Sequence, residues 1–213
     1  MGQKVDPRSL RLGPKLPQDY YSVFFDNSKQ GYSQKLLQDY HIRKEIGKKY
    51  DSGIISDIKI SRSNTAIIVD IHSAKPGIII GKSGSGIDKI KSFVKSHIQS
   101  SHNIFINVHE LERKYLEASI VADDIKSQLQ RRAHTRKAIK SASLNSIKDG
   151  AIGIKVSCSG RLQGAEIAKT ETYIKGSIQL HTLRSNISYS SVEAKTAYGI
   201  IGIKVWINRN YIK

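Results

Sequence analysis

Apolar positions change period several times along the chain. GIISDIKISRS alternates apolar and polar residues from Ile54 to Ile60, and TAIIVDIHS repeats the pattern from Ala66 to Ile71. A period of two sends every second side chain to one face, so both stretches read as half-buried strands. Ser63-Asn64 between them reads as a hairpin turn. SGIDKIKSFVKSHI instead places Ile87, Ile90, Phe93, Val94 and Ile98 at helical spacing. NIFINVHE returns to alternation with Ile104, Ile106 and Val108. Upstream, LLQDYHIRKEIGKKY predicts a helix that Asp39 caps and that runs through Lys49. The predicted order is helix, strand, strand, short helix, glycine turn, helix, strand.

The second half follows another plan. Residues 111 to 149 contain no Gly or Pro. That is too long for one ordinary globular helix, so two are expected, with a break near 127 to 131. AIGIKVSCSG then alternates through Ile152, Ile154, Val156 and Cys158, and YGIIGIKVWINR through Ile201, Ile203, Val205 and Ile207. Glycines 160, 164, 176, 199 and 202 punctuate these strands. At the other end, Pro7, Pro14 and Pro17 prevent a continuous helix, so residues 1–38 read as irregular. The fold class expected is α+β in two domains. Residues 1–38 form a basic arm, 39–109 an αββααβ domain, and 110–213 an α/β domain with two helices and a mainly antiparallel sheet.

Charge narrows the partners. There are 35 Lys and Arg against 18 Asp and Glu in 213 residues, a net of +17. Such a chain needs a polyanion or a very acidic surface to sit on, and nucleic acid is the usual answer. An anionic membrane would call for an amphipathic anchor or a lipid site. Gly2 invites a myristoylation reading, but Asp6 stands where that motif wants Ser or Thr. No apolar run nears the ~18 residues of a membrane span, and the charged, proline-broken start does not read as a secretory signal. Cys158, the sole cysteine, allows no internal disulfide and no cysteine-based zinc site, which fits a reducing compartment. The positive charge is concentrated: residues 126 to 148 hold seven Lys and Arg and no acid. Arg132, Arg136 and Lys140 recur every four residues, and Arg131 and Lys137 widen that stripe. The arm adds Lys4, Arg8, Arg11 and Lys15, which fit either a solvated tail or an RNA contact.

KPGIIIGKSGSGIDKI ends in the Gly-Lys-Ser of a nucleotide-binding phosphate loop. That loop needs a Gly five residues before the Gly-Lys, and position 76 is Pro. Ile78, Ile79 and Ile80 are too bulky to line a phosphate cradle and belong in a core. Gly81-Lys82-Ser83-Gly84 fits another use: G-x-x-G between two helices lets the backbone approach a sugar-phosphate chain, with Lys82 adding charge. In an αββααβ order this resembles the RNA-gripping turn of a type II KH domain.

Three separated motifs carry a wider resemblance. KPGIIIGKSG, GIKVSCSGRLQGAEIAKTETY and AYGIIGIKVWI, with LHTLRSNISYS between the last two, resemble the universal small-subunit ribosomal protein S-three family in its bacterial or organellar wording. The resemblance implies a place in the head of the small ribosomal subunit. The implied partners are small-subunit rRNA, mRNA, and the head proteins S-ten and S-fourteen. It further implies that RRAHTRKAIK borders the mRNA entry channel and helps hold and unwind incoming mRNA. The residues carried over are Arg131, Arg132, Arg136, Lys137 and Lys140. The chain departs from the family at Gln163 (usually Gly), Lys169 (Arg), Thr172 (Trp), Gln179 (Pro) and Ser188 (Asp).

Other chemistry is weak. His72, His109 and His134 are scattered, and Glu166 and Glu171 lie among basic residues as bracing ion pairs rather than an acid–base dyad. No nucleophile–base set is apparent. No enzyme activity, cofactor, metal or membrane partner is therefore expected. The expected role is a structural constituent of a bacterial cytoplasmic ribosome or, alternatively, of an organellar one. A free-standing KH regulator of RNA is the other reading.

Overall fold

The structure is a computed structural model, and it describes residues 4–11, 20–50, 53–63, 65–98 and 103–209. These fall into two compact units. One is Tyr20–Glu112; the other comprises the described residues of Met1–Asp19 and of Arg113–Lys213.

The first unit runs β1 (Ser22–Val23), α1 (Lys29–Lys49), β2 (Ile55–Arg62), β3 (Ala66–Ser73), α2 (Pro76–Ile80), α3 (Ser85–His97) and β4 (Asn103–Glu110). The sheet order is β1-β2-β3-β4, with β2 and β3 antiparallel and the two outer pairings parallel. Alternation sends Ile58 and Ile60 of β2 and Ile67, Val69 and Ile71 of β3 into one core with Ile42 and Ile46 of α1 and Ile90 and Val94 of α3. The opposite positions, Asp57, Lys59, Asp70 and His72, stay half exposed. The αββααβ order thus stands, with a short parallel edge strand added in front. Of the expected hairpin, Asn64 lies outside the described residues, while the Ser63 N–H donates to the Ala66 carbonyl at 2.8 Å.

Helix α1 differs from the sequence reading. It starts at Lys29, with Ser28 as its cap, and the Ser28 hydroxyl accepts the Gly31 N–H at 3.0 Å. Asp26 braces this start: the Lys35 ammonium at 2.7 Å, then the Ser28 N–H, hold its carboxyl down at about 2. The first turns escape the pattern because Tyr32, Leu36, Leu37 and Tyr40 are exposed, so the core-facing stripe starts only at Ile42. Asp39 is no cap. It lies mid-helix, fully buried, where its carboxylate accepts from Arg62 Nε and from the Ser22 hydroxyl, each at 2.8 Å. Arg62 Nη1 also donates to Gln38 Oε1 at 2.9 Å.

The second unit contains α4 (Ala118–Gln130), α5 (Thr135–Lys148), β5 (Gly153–Gly160), β6 (Lys169–Gly176), β7 (Ile187–Thr196) and β8 (Gly199–Asn208). Its sheet is antiparallel throughout, in the order β6-β5-β8-β7. Val121, Ile125 and Leu129 of α4 and Ile139 and Ala142 of α5 pack on Ile154, Val156 and Cys158 of β5 and Ile203, Val205 and Ile207 of β8. Cys158 is a buried core residue whose thiol is pushed up to about 12, first by burial and then by Glu171. The helices break across residues 131 to 134, slightly later than expected, where Arg132 adopts a left-handed φ of 62°.

Ser188 explains its own departure from the family. Its hydroxyl accepts the Ala118 N–H at 3.1 Å, at the start of α4, and an N–H of Arg209 at 2.9 Å. Arg209 also donates to the Leu116 carbonyl at 3.2 Å and pairs with Glu117. The hydroxyl serves as acceptor at both places and Glu117 supplies the negative charge. Among the described residues, no helix is long and apolar enough to cross a membrane.

The Asp39–Arg62 pair yields a stability test. Removing one partner of a buried ion pair costs about 3–5 kcal/mol, because the other charge stays buried and unpaired. Asp39→Ala is expected to lower unfolding free energy by that amount in urea titrations, and Asp39→Leu with Arg62→Met to recover most of it.

Candidate nucleic-acid interface

The glycine turn joins the five-residue α2 to the 13-residue α3. Pro76 opens α2 at a position where its missing N–H costs nothing. The N–H groups of Ile78 and Gly81 donate to the carbonyls of Lys75 (3.2 Å) and Gly77 (3.0 Å), so they serve the helix and cradle no phosphate. Gly81 then turns the chain at φ 70°, ψ −178°. Ser83 (φ 53°) and Gly84 (φ 81°) are both left-handed, and α3 begins at Ser85. A Cβ on Gly84 would meet nothing within 4 Å, so its φ explains the glycine. Lys82 and Ser83 are exposed at the tip.

Two features of this turn were not legible beforehand. Of the three isoleucines, Ile79 alone is in the core; Ile78 is 52% exposed and Ile80 is 37% exposed, so both flank the turn on the surface. Gly86 matters as much as the G-x-x-G pair. A Cβ there would lie 2.1 Å from the Ile79 carbonyl oxygen, so glycine lets α3 start directly against the end of α2. The extra glycine in GKSGSG was the available signal.

The basic segment 131–140 is divided between two kinds of backbone. Arg136, Lys137 and Lys140 lie on the exposed side of α5, opposite buried Ala138, Ile139 and Ala142. Arg131 and Arg132 are exposed in the preceding turn, so the stripe expected on a single helix is broken at Arg132. Arg136 Nε stands 3.3 Å from Glu171 Oε1. The turn is tied to the β5–β6 connection: Gln163 Nε2 and His134 Nε2 are 2.9 Å apart, with the imidazole accepting. Gln163 itself sits at φ 59°. A residue with a Cβ there bears a cost of about 1–2 kcal/mol, which accounts for the family's glycine, and the His134 bond offsets part of it.

The arm residues separate. Arg8 is exposed and pairs with Asp6 at 2.9 Å. Lys4 is exposed and lies beside Lys155, whose pKa is lowered by desolvation and then by that neighbouring charge. Lys15 lies outside the described residues. Arg11 corrects the reading of an RNA-facing arm: it is 8% exposed, and its guanidinium donates to the carbonyls of Pro7 (2.8 Å), Leu180 (2.8 Å), Ser185 (3.0 Å) and Thr182 (3.3 Å). A side chain committed to so many carbonyls is a structural tie.

Of the histidines, His72 and His109 are brought together. Their rings stack at 5.2 Å across β3 and β4, and His109 Nε2 is 3.5 Å from Asp70 Oδ1. Among the described residues, no group of three His, Cys, Asp or Glu side chains is arranged to hold a metal.

Gly86 supplies the test of the turn. Gly86→Ala is expected to destabilise the protein by about 1–3 kcal/mol, the range for overpacking a tight contact. Gly77→Ala, whose Cβ meets nothing within 4 Å, should change stability little. Chemical denaturation of the two variants makes the comparison.

Comparison with known proteins agrees with this geometry. A KH domain family model matches residues 38–116, and a model described as ribosomal protein S3, C-terminal domain, matches residues 125–207. "Small ribosomal subunit protein uS3" of Rickettsia bellii (strain OSU 85-389) is 48% identical over 208 residues, covering 97% of this chain and 94% of the relative. The protein of the same name from Rickettsia typhi is 46% identical over 214 residues, covering 100% and 97%. That of Rickettsia felis is 48% identical over 208 residues, covering 97% and 94%.

Proposed function

Because the chain belongs to the ribosomal protein S3 family, we propose that it is a structural constituent of the small ribosomal subunit, holding rRNA in the head and bordering the path of incoming mRNA. The observation that carries the mRNA part is the exposed display of Arg131, Arg132, Arg136, Lys137 and Lys140 along α5 and the turn before it. Among the described residues, Arg136 is the one of these five with an acidic partner. A helix face kept for solvent would mix in acids at four-residue spacing, since like charges there repel by roughly 0.2–0.5 kcal/mol per pair. A phosphate chain removes that repulsion.

The two units divide the work. In the first, the Gly81–Gly84 turn brings backbone N–H groups, the start of α3 and the Lys82 ammonium to a ribose-phosphate segment of rRNA. In the second, the α5 cations grip single-stranded message. Arginine holds phosphate through two parallel bonds and lysine acts as a point charge, so the set tolerates any sequence. S-ten and S-fourteen are the proposed protein neighbours, as the family resemblance implies. The rickettsial relatives favour a bacterial cytoplasmic ribosome over an organellar one. In this role the chain turns over no small molecule.

Arg136→Ala, Lys137→Ala and Lys140→Ala combined should slow translation of messages with a stable downstream hairpin and barely affect unstructured ones. Equal effects on both would reject the channel role. In binding assays with single-stranded RNA, the log–log salt slope should become shallower by about 2, at ~0.7 per lost phosphate contact.

A further inference from the structure

Helices α4 and α5 pack on one face of the second sheet. The strand register defines the opposite face. One row there runs Ile174, Lys155, Trp206, Tyr189 across β6, β5, β8 and β7, and the next runs Thr172, Ser157, Lys204, Ser191. Lys155 extends over Trp206, its Nζ 5.3 Å from the ring centroid, and Tyr189 packs on the same indole at 5.3 Å. The indole thereby fixes where that ammonium sits. The arm, anchored on this unit by Arg11, brings a second one to it: Lys4 lies beside Lys155 and, after burial, lowers its pKa. Among the described residues, Lys4, Lys155 and Lys204 have no acidic partner. Glu193, opposite Gly202 in the row beyond, is the one acid at an outward position of these strands. Two ammonium groups held together repel, and an anion between them removes the repulsion.

We propose that this face is an RNA surface separate from α5: it takes the sugar-phosphate backbone of double-stranded RNA, with Lys4 and Lys155 sharing one phosphate. The proposal deepens the reading that the chain holds rRNA, and rests on it. A face kept for solvent would set acids among these lysines, as Asp6 meets Arg8 in the arm. The hydroxyls extend the site. Ser157 accepts from Thr172 at 3.4 Å, which leaves its own O–H to donate to a phosphate or ribose. Ser191, exposed opposite Lys204, offers another. Such groups contact phosphate and sugar and read no base. The choice of duplex follows from the aromatic side chains. Single-strand binders present aromatic faces to unstacked bases, whereas Trp206 is buried at 7% exposure and Tyr189 is half buried against it. Duplex RNA is met through its phosphates and 2′-hydroxyls across a shallow groove, which suits an open sheet face.

The test uses the full chain, freed of nucleic acid, and fluorescence anisotropy with two probes: an oligouridine, and an RNA duplex of about 16 base pairs, the span of a duplex-binding module. Lys4→Gln with Lys155→Gln should weaken duplex binding about tenfold, the range of one charged hydrogen bond, and leave oligouridine binding unchanged. Lys4→Gln alone, in the arm and outside both cores, should show part of the same loss, so the result does not depend on how the Lys155 variant folds. Arg136→Ala, Lys137→Ala and Lys140→Ala combined should show the opposite preference, losing more on oligouridine. Duplex binding unchanged in the double variant, or an equal loss on both probes, would overturn the proposal. So would a loss of polyglutamate binding with duplex binding intact, which would mark the face as a site for an acidic protein. Purified small subunits separate the two readings. If they contain the chain while the double variant binds duplex like the wild type, this face fails and the rRNA reading stands. If they lack the chain, the rRNA reading itself fails.

Discussion

A guanidinium has five N–H donors and cannot be buried unless acceptors meet them. This constraint organises a chain that carries far more cations than acids. Among the described residues, Arg62, Arg11 and Arg209 each meet it by drawing together segments distant in sequence. Arg62 of β2 joins Asp39 and Gln38 of α1. Arg11 collects carbonyls from Pro7 and from residues 180 to 185. Arg209, just past β8, ties Leu116, Glu117 and Ser188 at the start of α4. These arginines fix strand to helix, arm to loop, and chain end to helix start. Cations without such acceptors remain outside, and those of α5 and the glycine turn form the surface that we propose meets RNA.

That division gives a physical account of why one composition serves two purposes. The cores are almost wholly aliphatic, with Ile, Val and Ala from both strands and helices. They need no polar groups. The buried polar residues include Arg11 and the Asp39, Ser185 and Ser188 that meet arginines, beside Ser73, Thr135, Ser143, Ser146 and Asn208. The proposed function rests on the opposite condition, exposed charge without enough acid to neutralise it, for which a polyanion supplies the missing counter-charge.

Much of this was legible in the sequence, for reasons that particular residues show. Alternation located β2, β3, β4, β5 and β8 because each buries one face against helices, as Ile67, Val69 and Ile71 do. The G-x-x-G turn was legible because left-handed backbone at Gly84 demands glycine. Other features were hidden because their cause is tertiary. The early turns of α1 bear exposed apolar side chains, so no stripe marked their start. Asp39 has the chemistry of a cap, and its burial beside Arg62 depends on a strand more than twenty residues away. Arg11 looks like any arm cation until the 180–185 carbonyls surround it. Arg132 fell out of the stripe because a left-handed residue ends the first helix there.

The most direct measurement is a high-resolution density map of small ribosomal subunits assembled with this chain. The account predicts that the chain is present, with the Gly81–Gly84 backbone within hydrogen-bond distance of an RNA phosphate and Arg11 still turned onto its carbonyls. Subunits lacking the chain, or a glycine turn and α5 cations that touch no RNA, would contradict it.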